Sequence, residues 1–406
     1  MKELNVYLNF SKKEKLFVGT IAQSENQFFF EYAASFLSDP LWLSPYKLPP
    51  ESGLHKHKDT DFGPIFGLFD DSLPDGWGLL LMDRFLRKQG IDIDRLSVLD
   101  RLSFLGKSTM GALTYEPAVI HEKSDNVIDL EMLAEQSRQI MEGHTMDVLP
   151  QLMKAGGSPG GARPKVLVGI KNKNIISGED DLPEGFEHWI VKFNAKEDFP
   201  ESGAVEYAYS LMAKEAGILM PETRLFELSP QGRYFGIKRF DRKTDQRFHV
   251  QSFGSLIHSN FRVPGCDYET FLKVILDLTK NHQDLERGFL QMIFNVSANN
   301  RDDHVKNFAF MIDANREWKL TPAYDVIYSK GPGGEHSMSL AGEGRAPGRE
   351  EIFKLGYKCG MSKNKINDCL EKVITAVKKW SDYAHIAGVT EQTKDYIQNR
   401  MDKNQS

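Results

Sequence analysis

Six consecutive polar residues, Asn299-Asn300-Arg301-Asp302-Asp303-His304, stand between two segments that read as buried. Gly288 to Ala298 (Gly-Phe-Leu-Gln-Met-Ile-Phe-Asn-Val-Ser-Ala) has the pattern of a mostly buried helix, and Phe308-Ala309-Phe310-Met311-Ile312 that of a core strand. A polar run of this kind cannot enter a core without partners, so the chain must surface there or line a cleft. Asp313-Ala314-Asn315-Arg316 is then a turn and Glu317-Trp318-Lys319-Leu320 the returning strand. Such a hairpin carries Leu320-Thr321-Pro322-Ala323-Tyr324-Asp325 back beside the polar run, where Asn307 and Asp325 can converge.

The set Asp302-x-His304-x-x-Asn307, with Asp325 following the hairpin, fits phosphoryl transfer from Mg-ATP. That chemistry needs one Asp to orient or deprotonate an attacking hydroxyl. It also needs an Asn and a second Asp to hold metal against the phosphates. The other reading of the same residues is a solvated Asn/Asp loop whose carboxylates cap neighbouring helices. His304 reads first as a structural hydrogen-bonding residue.

Lys192 stands in Trp189-Ile190-Val191-Lys192-Phe193, one cation among apolar neighbours. It is either a lysine that grips ATP phosphates, braced by a carboxylate on the next helix, or an edge lysine reaching to water. Glu206 is the candidate brace. Gly156 to Gly161 holds four glycines in six positions, with Ser158 and Pro159 between them. Glycines permit close backbone approach to phosphates and expose amides as a nest. The loop is not a Walker A motif, because Ala162 stands where Lys should follow, and a surface turn is the alternative. His55-Lys56-His57 lacks the accompanying Cys or carboxylates of a metal site.

A chain of 406 residues can bury a large core and divide into two or more domains. Three strands open it: Leu4 to Phe10, with clean alternation of Leu4, Val6, Leu8 and Phe10, then Leu16 to Ala22 and Gln27 to Tyr32. A packed loop region and a helix over Trp77 to Lys88 complete a small unit that ends near residue 118. A linker at Glu122 to Asn126 and an amphipathic helix over Ile128 to Glu142 follow. Strands are expected at Lys165 to Ile170, His188 to Asn194, Thr223 to Leu228 and Tyr234 to Arg239. Between the middle two lies a helix over Ser202 to Gly217, capped by Ser202. From Tyr268 onward helices dominate. Strands first and helices later predict an α+β, two-lobed protein-kinase-like fold, with ATP between the lobes. The units expected are an N-terminal α/β subdomain over 1–120, a lobe with the glycine-rich loop over 121–245, and a helical lobe with the catalytic loop over 246–406.

The formal net charge of −6 argues against nucleic acid as the direct partner of the whole surface. Arg233, Lys238, Arg239, Arg242 and Lys243 form a local basic cluster, read either as a solvated hairpin rim or as a phosphate-facing patch. No apolar stretch approaches a membrane span, the first residues lack a signal-peptide core, and the three cysteines form no Cys-x-x-Cys pair. A cytoplasmic protein with buried thiols is expected, without a membrane partner.

The chain resembles the HipA family of toxin serine/threonine kinases over nearly its whole length. The resemblance rests on Phe69-Asp70-Asp71-Ser72-Leu73-Pro74-Asp75-Gly76, Gly157 to Lys165, His188 to Phe193, Arg239-Phe240-Asp241-Arg242, Asn300 to Phe308 and Pro322-Ala323-Tyr324-Asp325. It implies ATP and Mg²⁺ as cofactors, with Asp302 as the catalytic carboxylate and Lys306 near the transferring phosphoryl. It implies Asn307 and Asp325 as metal ligands. Lys192, Glu206, Gly160 and Gly161 then belong to the nucleotide site. Tyr234 to Phe240 forms the strand and hinge beside adenine, which brings in Lys238 and Phe240. The family often has Glu where Lys238 stands, so the hinge would read adenine through its backbone. Ser158 aligns with a serine that such kinases autophosphorylate, a change that silences the enzyme. The resemblance further implies a protein substrate, notably an aminoacyl-tRNA synthetase. It also implies a small helix-turn-helix antitoxin that alone contacts DNA. Two other functions fit the same residues: a small-molecule or lipid kinase, and a non-catalytic scaffold that works through the antitoxin.

Overall fold

The computed structural model describes residues 1–119, 128–145, 147–156, 160–178, 181–195, 199–229 and 232–403. Ser158 therefore lies outside the described residues, as does the whole of the linker expected at 122–126. Among the described residues no helix is long and apolar enough to cross a membrane.

The alternating N-terminal runs form an antiparallel sheet of β1 (Lys2–Ser11), β2 (Glu14–Ser24), β3 (Gln27–Tyr32), β4 (Leu54–Lys56) and β5 (Leu113–Glu116). Its order is β4-β3-β2-β1-β5. Leu4, Val6 and Leu8 are buried, as period-2 alternation requires of one face. The pattern of β5 is too short to read from sequence. It is a strand because β1 offers it an edge, pairing Asn5 with Glu116 and Leu8 with Leu113.

The second sheet is also antiparallel: β6 (Lys165–Lys171), β7 (Asn174–Ser177), β8 (Glu187–Lys192), β9 (Thr223–Ser229) and β10 (Gly232–Lys238), in the order β7-β6-β8-β10-β9. Six of the seven β6 residues are buried in succession, so both its faces are covered. Part of that cover is the helix Gly76–Lys88. Trp77, Leu81 and Met82 on that helix share a core with Val166, Val168, Trp189 and Val191. The Trp77 indole donates to the Lys165 carbonyl at 3.2 Å.

Helix Ser202–Glu215 packs on β10. Gly203 permits this approach, since a Cβ there would meet the Arg233 carbonyl at 2.4 Å. Ser202 is the first helical residue rather than its cap, a correction to the sequence reading. Glu201 precedes the helix and supplies no side-chain cap. Gly217, at φ +86°, turns the chain out of it.

After a two-stranded hairpin, β11 (Arg242–Lys243) with β12 (Gln246–Arg247), and a three-stranded sheet, β13 (Val250–Ser252), β14 (Ala309–Ile312) and β15 (Trp318–Leu320), the structure is mostly helical. The expected hairpin is present, with Phe310 opposite Leu320 and Ile312 opposite Trp318. The helix before it, His282–Ser297, is buried on all sides from Gly288 onward.

The basic cluster is neither a rim nor a phosphate-facing patch at its centre, because Arg239 and Arg242 are both buried. Arg239 makes a two-pronged bond to Asp241 at 2.8 and 2.6 Å. Arg242 donates to Asp241 at 2.6 Å and to the Thr109 carbonyl at 3.0 Å. The Gly111 amide donates to the same carboxylate at 2.8 Å. One buried anion thus ties the segment after the second sheet to the loop before β5. Burial alone would raise the Asp241 pKa, but the two guanidiniums outweigh it and hold the carboxyl well below its usual range.

Asp241→Ala leaves two buried guanidiniums without their anion and should cost about 3–5 kcal/mol in chemical denaturation. The pH dependence has a definite sign. A depressed folded pKa gives stability that is full above the ordinary carboxylate pKa of about 4 and is lost as pH falls below it. The wild type should therefore lose stability more steeply than Asp241→Ala on acidification below about pH 4.

Candidate active site

Strand register places two lysines side by side. Lys192, at the end of β8, pairs with Lys165 on β6 and with Phe235 on β10. Both ammonium groups are buried and need anions or carbonyls as partners. Lys192 donates to Glu206 Oε1 at 2.6 Å, one turn along the helix that Gly203 seats on β10. It also donates to Asp325, directly after the hairpin. Lys165 donates to the Gly160 carbonyl at 2.6 Å.

The charges stabilise one another. Burial would lower the Lys192 pKa, but Asp325 and Glu206 outweigh it and raise the value. Burial would raise that of Asp325, but Lys192 and Lys165 hold it down, so the carboxylate stays ionised. Lys165 shifts the other way: burial lowers its pKa, only partly offset by Asp325. Asp325 sits at φ +51°, a left-handed conformation uncommon outside glycine. Strain of this kind persists where surrounding contacts fix the residue.

A second group adjoins this one. The Gly161 amide donates to Asp75, and Lys306 Nζ lies 3.9 Å from the same carboxylate. Lys306 donates to Asp70 at 3.0 Å. Burial would lower its pKa, but Asp70, Asp71 and Asp75 outweigh it and raise the value. Neighbouring Asp71 accepts from the Ser252 amide at 2.6 Å and from the Ser255 hydroxyl at 2.7 Å. The acidic loop 70–75, the glycines and Lys306 therefore form one connected wall.

The polar run beside this wall is anchored residue by residue. Asn300 donates to Asn295 at 3.0 Å. Asp303 is buried and accepts from Tyr268 at 2.7 Å, from His336 at 2.8 Å and from the Ser337 amide at 2.8 Å. With its neighbours fixed, Asp302 projects a carboxylate that is 58% exposed. The Asn307 side-chain amide donates to the Asp302 carbonyl at 2.6 Å, which leaves its amide oxygen as the atom available to a cation. His304 accepts from the Lys306 amide at 3.2 Å, a structural bond within the turn. The Tyr324 hydroxyl donates to the Lys306 carbonyl at 2.8 Å and pins the residue before Asp325 to this loop. Phe240 lies against it, ring centroids 5.8 Å apart.

Among the predicted site residues, Lys192, Glu206 and Asp325 are in direct contact. Gly160, Gly161 and Lys306 share the adjoining wall, and Asn307 binds the Asp302 backbone. Lys238 is not drawn in. It lies opposite Trp189, three residues along β10 from the Lys192 pairing, and its ammonium is taken by Glu187. His55 and His57 bond backbone carbonyls at 2.9 and 2.8 Å. Among the described residues no group of three or more His, Cys, Asp or Glu could hold a metal. Lys165, Asp70 and Asp75 are members that sequence reasoning missed. Lys165, before Val166-Leu167-Val168, is like Lys192 a lone cation at the end of an apolar strand and carries the same sequence signal.

Two family models match the chain: the HipA N-terminal domain over residues 4–116 and the HipA-like C-terminal domain over residues 157–381. A Haemophilus influenzae protein named "Putative kinase" is 30% identical over 194 residues, 44% of this chain and 54% of that protein. A Sinorhizobium fredii protein, "Putative kinase Y4dM", is 24% identical over 206 residues, 46% of this chain and 49% of that one. The chain thus spans about half the length of the curated relatives it matches. In fold it is similar to the HipA chain of a Shewanella oneidensis toxin–antitoxin complex of HipA, HipB and operator DNA. The TM-score is 0.72 at 15% identity, covering 99% of this chain and 95% of the other.

The buried and exposed members of the site should respond differently to substitution. Lys192→Ala strands Glu206 in the interior and should cost about 3–5 kcal/mol of stability. Asp302→Asn, on an exposed carboxylate, should stay within about 0.5 kcal/mol of wild type. Urea denaturation of the two variants checks both values.

Proposed function

The chain belongs to the HipA family, and from that premise and the site's geometry we propose that it is a Mg-ATP-dependent serine/threonine protein kinase of the toxin type. In this reading residues 121–245 and 246–406 act as its two lobes, with residues 1–120 as an added N-terminal unit. The observation that carries the reading is the buried Lys192, bonded at once to Glu206 on the neighbouring helix and to Asp325 after the hairpin. A structural ion pair needs one carboxylate. A lysine that must hold a fixed position and also be released toward phosphate is served by two.

The residues present fit the two cofactors. For Mg²⁺ the chain offers the Asp325 carboxylate and the Asn307 amide oxygen. So sparse a protein set suits an ion that keeps waters and takes phosphate oxygens as its other ligands. Bound there, Mg²⁺ would neutralise charge on the phosphates. Lys192, released from Asp325, would bind phosphate oxygens while Glu206 keeps its place, and Lys165 adds a second buried cation beside it. Gly160 and Gly161 would cover the phosphates, and Phe240 would line the adenine end. Asp302 would orient a serine or threonine hydroxyl and accept its proton. Lys306, now on Asp70, would turn to the γ-phosphoryl group. Positioning and electrostatics of this kind are what phosphoryl transfer requires.

Ser158 is the proposed site of autophosphorylation, a reading that rests on the sequence and the family resemblance. Arg239 and Arg242 are not available to capture a phosphorylated loop, because Asp241 holds both. The proposed substrate is a protein such as an aminoacyl-tRNA synthetase. The proposed partner is a helix-turn-helix antitoxin through which DNA is met indirectly. The Shewanella oneidensis HipA occurs with HipB and operator DNA, which supports that partner.

With labelled ATP, the wild type should transfer phosphate to protein serine or threonine, and Asp302→Asn should lose about 10²–10⁴-fold in rate because an amide cannot accept the proton. Transfer to lipid or small molecules alone would contradict the protein-kinase reading. Near-normal transfer by Asp302→Asn would remove Asp302 from its role. Mass spectrometry after incubation with Mg-ATP should find phosphate on Ser158, and modification only elsewhere would overturn that assignment.

A further inference from the structure

The N-terminal unit meets the glycines of the site through the first turn of helix Gly76–Lys88. Asp75 is the N-cap of that helix, and its carbonyl accepts the first helical bond, from the Leu79 amide at 3.3 Å. An Asp in this place ordinarily turns its carboxylate back onto the second or third amide of its own helix. Asp75 makes no such bond. Its carboxylate goes instead to the Gly161 amide, 86 residues further along the chain. The helix amide of Trp77 in turn donates to the Gly161 carbonyl at 3.1 Å. Gly161 thus takes both halves of the cap that the helix would otherwise supply to itself.

This exchange fixes one residue closely. Two bonds run from one turn to the amide and the carbonyl of Gly161, so it can neither slide nor turn without losing one of them. Gly76, at φ +38°, allows the approach, since a Cβ there would meet the Ala162 Cα at 2.6 Å and the Gly161 carbonyl at 2.8 Å. Lys165 Nζ holds the neighbouring Gly160 carbonyl at 2.6 Å, and the Trp77 indole holds the Lys165 carbonyl at 3.2 Å. The Asp75 carboxylate also lies 3.9 Å from Lys306 Nζ. A contact that only joined the N-terminal unit to the rest of the chain would not require the helix to give up its own cap.

We propose that Asp75 is a positioning residue for the nucleotide: through Gly161 it sets the backbone at Gly160 against the ATP phosphates, so the N-terminal unit completes the nucleotide site. This rests on the kinase reading, which supplies the nucleotide. Asp75 touches neither ATP nor the acceptor. Gly161, with its amide given to Asp75, is the anchored end, and the Gly160 backbone beside it faces phosphate. Backbone groups stabilise phosphate charge best when they are already in place before it arrives.

The test compares nucleotides as well as variants. Isothermal titration calorimetry on the full chain gives the Kd for Mg-ATP and for adenosine, and thermal midpoints are read without nucleotide. Asp75→Ala loses a charge-assisted bond and should weaken Mg-ATP by about tenfold or more. Adenosine has no phosphates to be covered and should bind that variant as it binds the wild type. Asp75→Asn keeps a side-chain oxygen that can accept from Gly161 and should bind Mg-ATP within about threefold of wild type. Asp75→Ser can cap its own helix but is one bond too short for Gly161, so it should keep the wild-type midpoint and still lose Mg-ATP affinity. That variant decides the matter if Asp75→Ala does not fold. Wild-type Mg-ATP affinity in Asp75→Ser, equal losses for ATP and adenosine, or an Asp75→Asn no better than Asp75→Ala would each overturn the role while leaving the kinase reading intact. A wild type that binds no Mg-ATP would overturn the kinase reading, and this role with it.

Discussion

A buried ammonium must be neutralised where it stands, and the arrangement around Lys192 follows from that need. Glu206 supplies one carboxylate from a helix that only Gly203 allows to approach β10 closely. Asp325 supplies the other from beyond the hairpin that follows the polar run 299–304. Three elements far apart in sequence, namely a sheet strand, a helix and the end of a hairpin, are tied at one side chain. Asp325 tolerates a left-handed backbone there, and its carboxylate stays ionised despite burial because two lysines face it.

The neighbouring wall extends the same logic. Lys165 and Lys306 are each bonded to an acceptor of the protein itself: the Gly160 carbonyl for one and the Asp70 carboxylate for the other, the places that phosphate oxygens would take under the proposed function. The site is therefore held together by contacts between its own charges. Asp303, fully committed to Tyr268, His336 and Ser337, fixes the backbone so that the adjacent Asp302 can remain exposed without drifting. The Arg239–Asp241–Arg242 cluster does comparable work farther away, since it binds the segment after Phe240 to the loop before β5.

Much of this was legible in the sequence where period and polarity agree. The alternation of Leu4, Val6 and Leu8, the apolar runs around Lys192 and the polar run 299–304 each fixed an element to within a few residues. The brace Glu206 could be chosen because it lies one turn into the helix that follows Lys192. What escaped the sequence depends on pairing rather than pattern. Strands β5 and β7 are four residues each and exist because a neighbour offers an edge. Arg239 and Arg242 read as exposed because arginine usually is, and only the fold shows Asp241 lodged between them. Lys165 carried the same signal as Lys192, a cation beside an apolar strand, but its place next to Lys192 is known only once the register is known.

The central claim is that Lys192 and Asp325 are poised to exchange their mutual bond for a metal-bound nucleotide. Thermal unfolding with ATP, with and without Mg²⁺, tests it most directly, because a ligand that binds the folded state raises its midpoint by mass action. Mg-ATP should give a clear rise, ATP in chelator a much smaller one, and Asp325→Asn should lose the difference. Equal stabilisation with and without Mg²⁺, or a full Mg-dependent rise in Asp325→Asn, would contradict it.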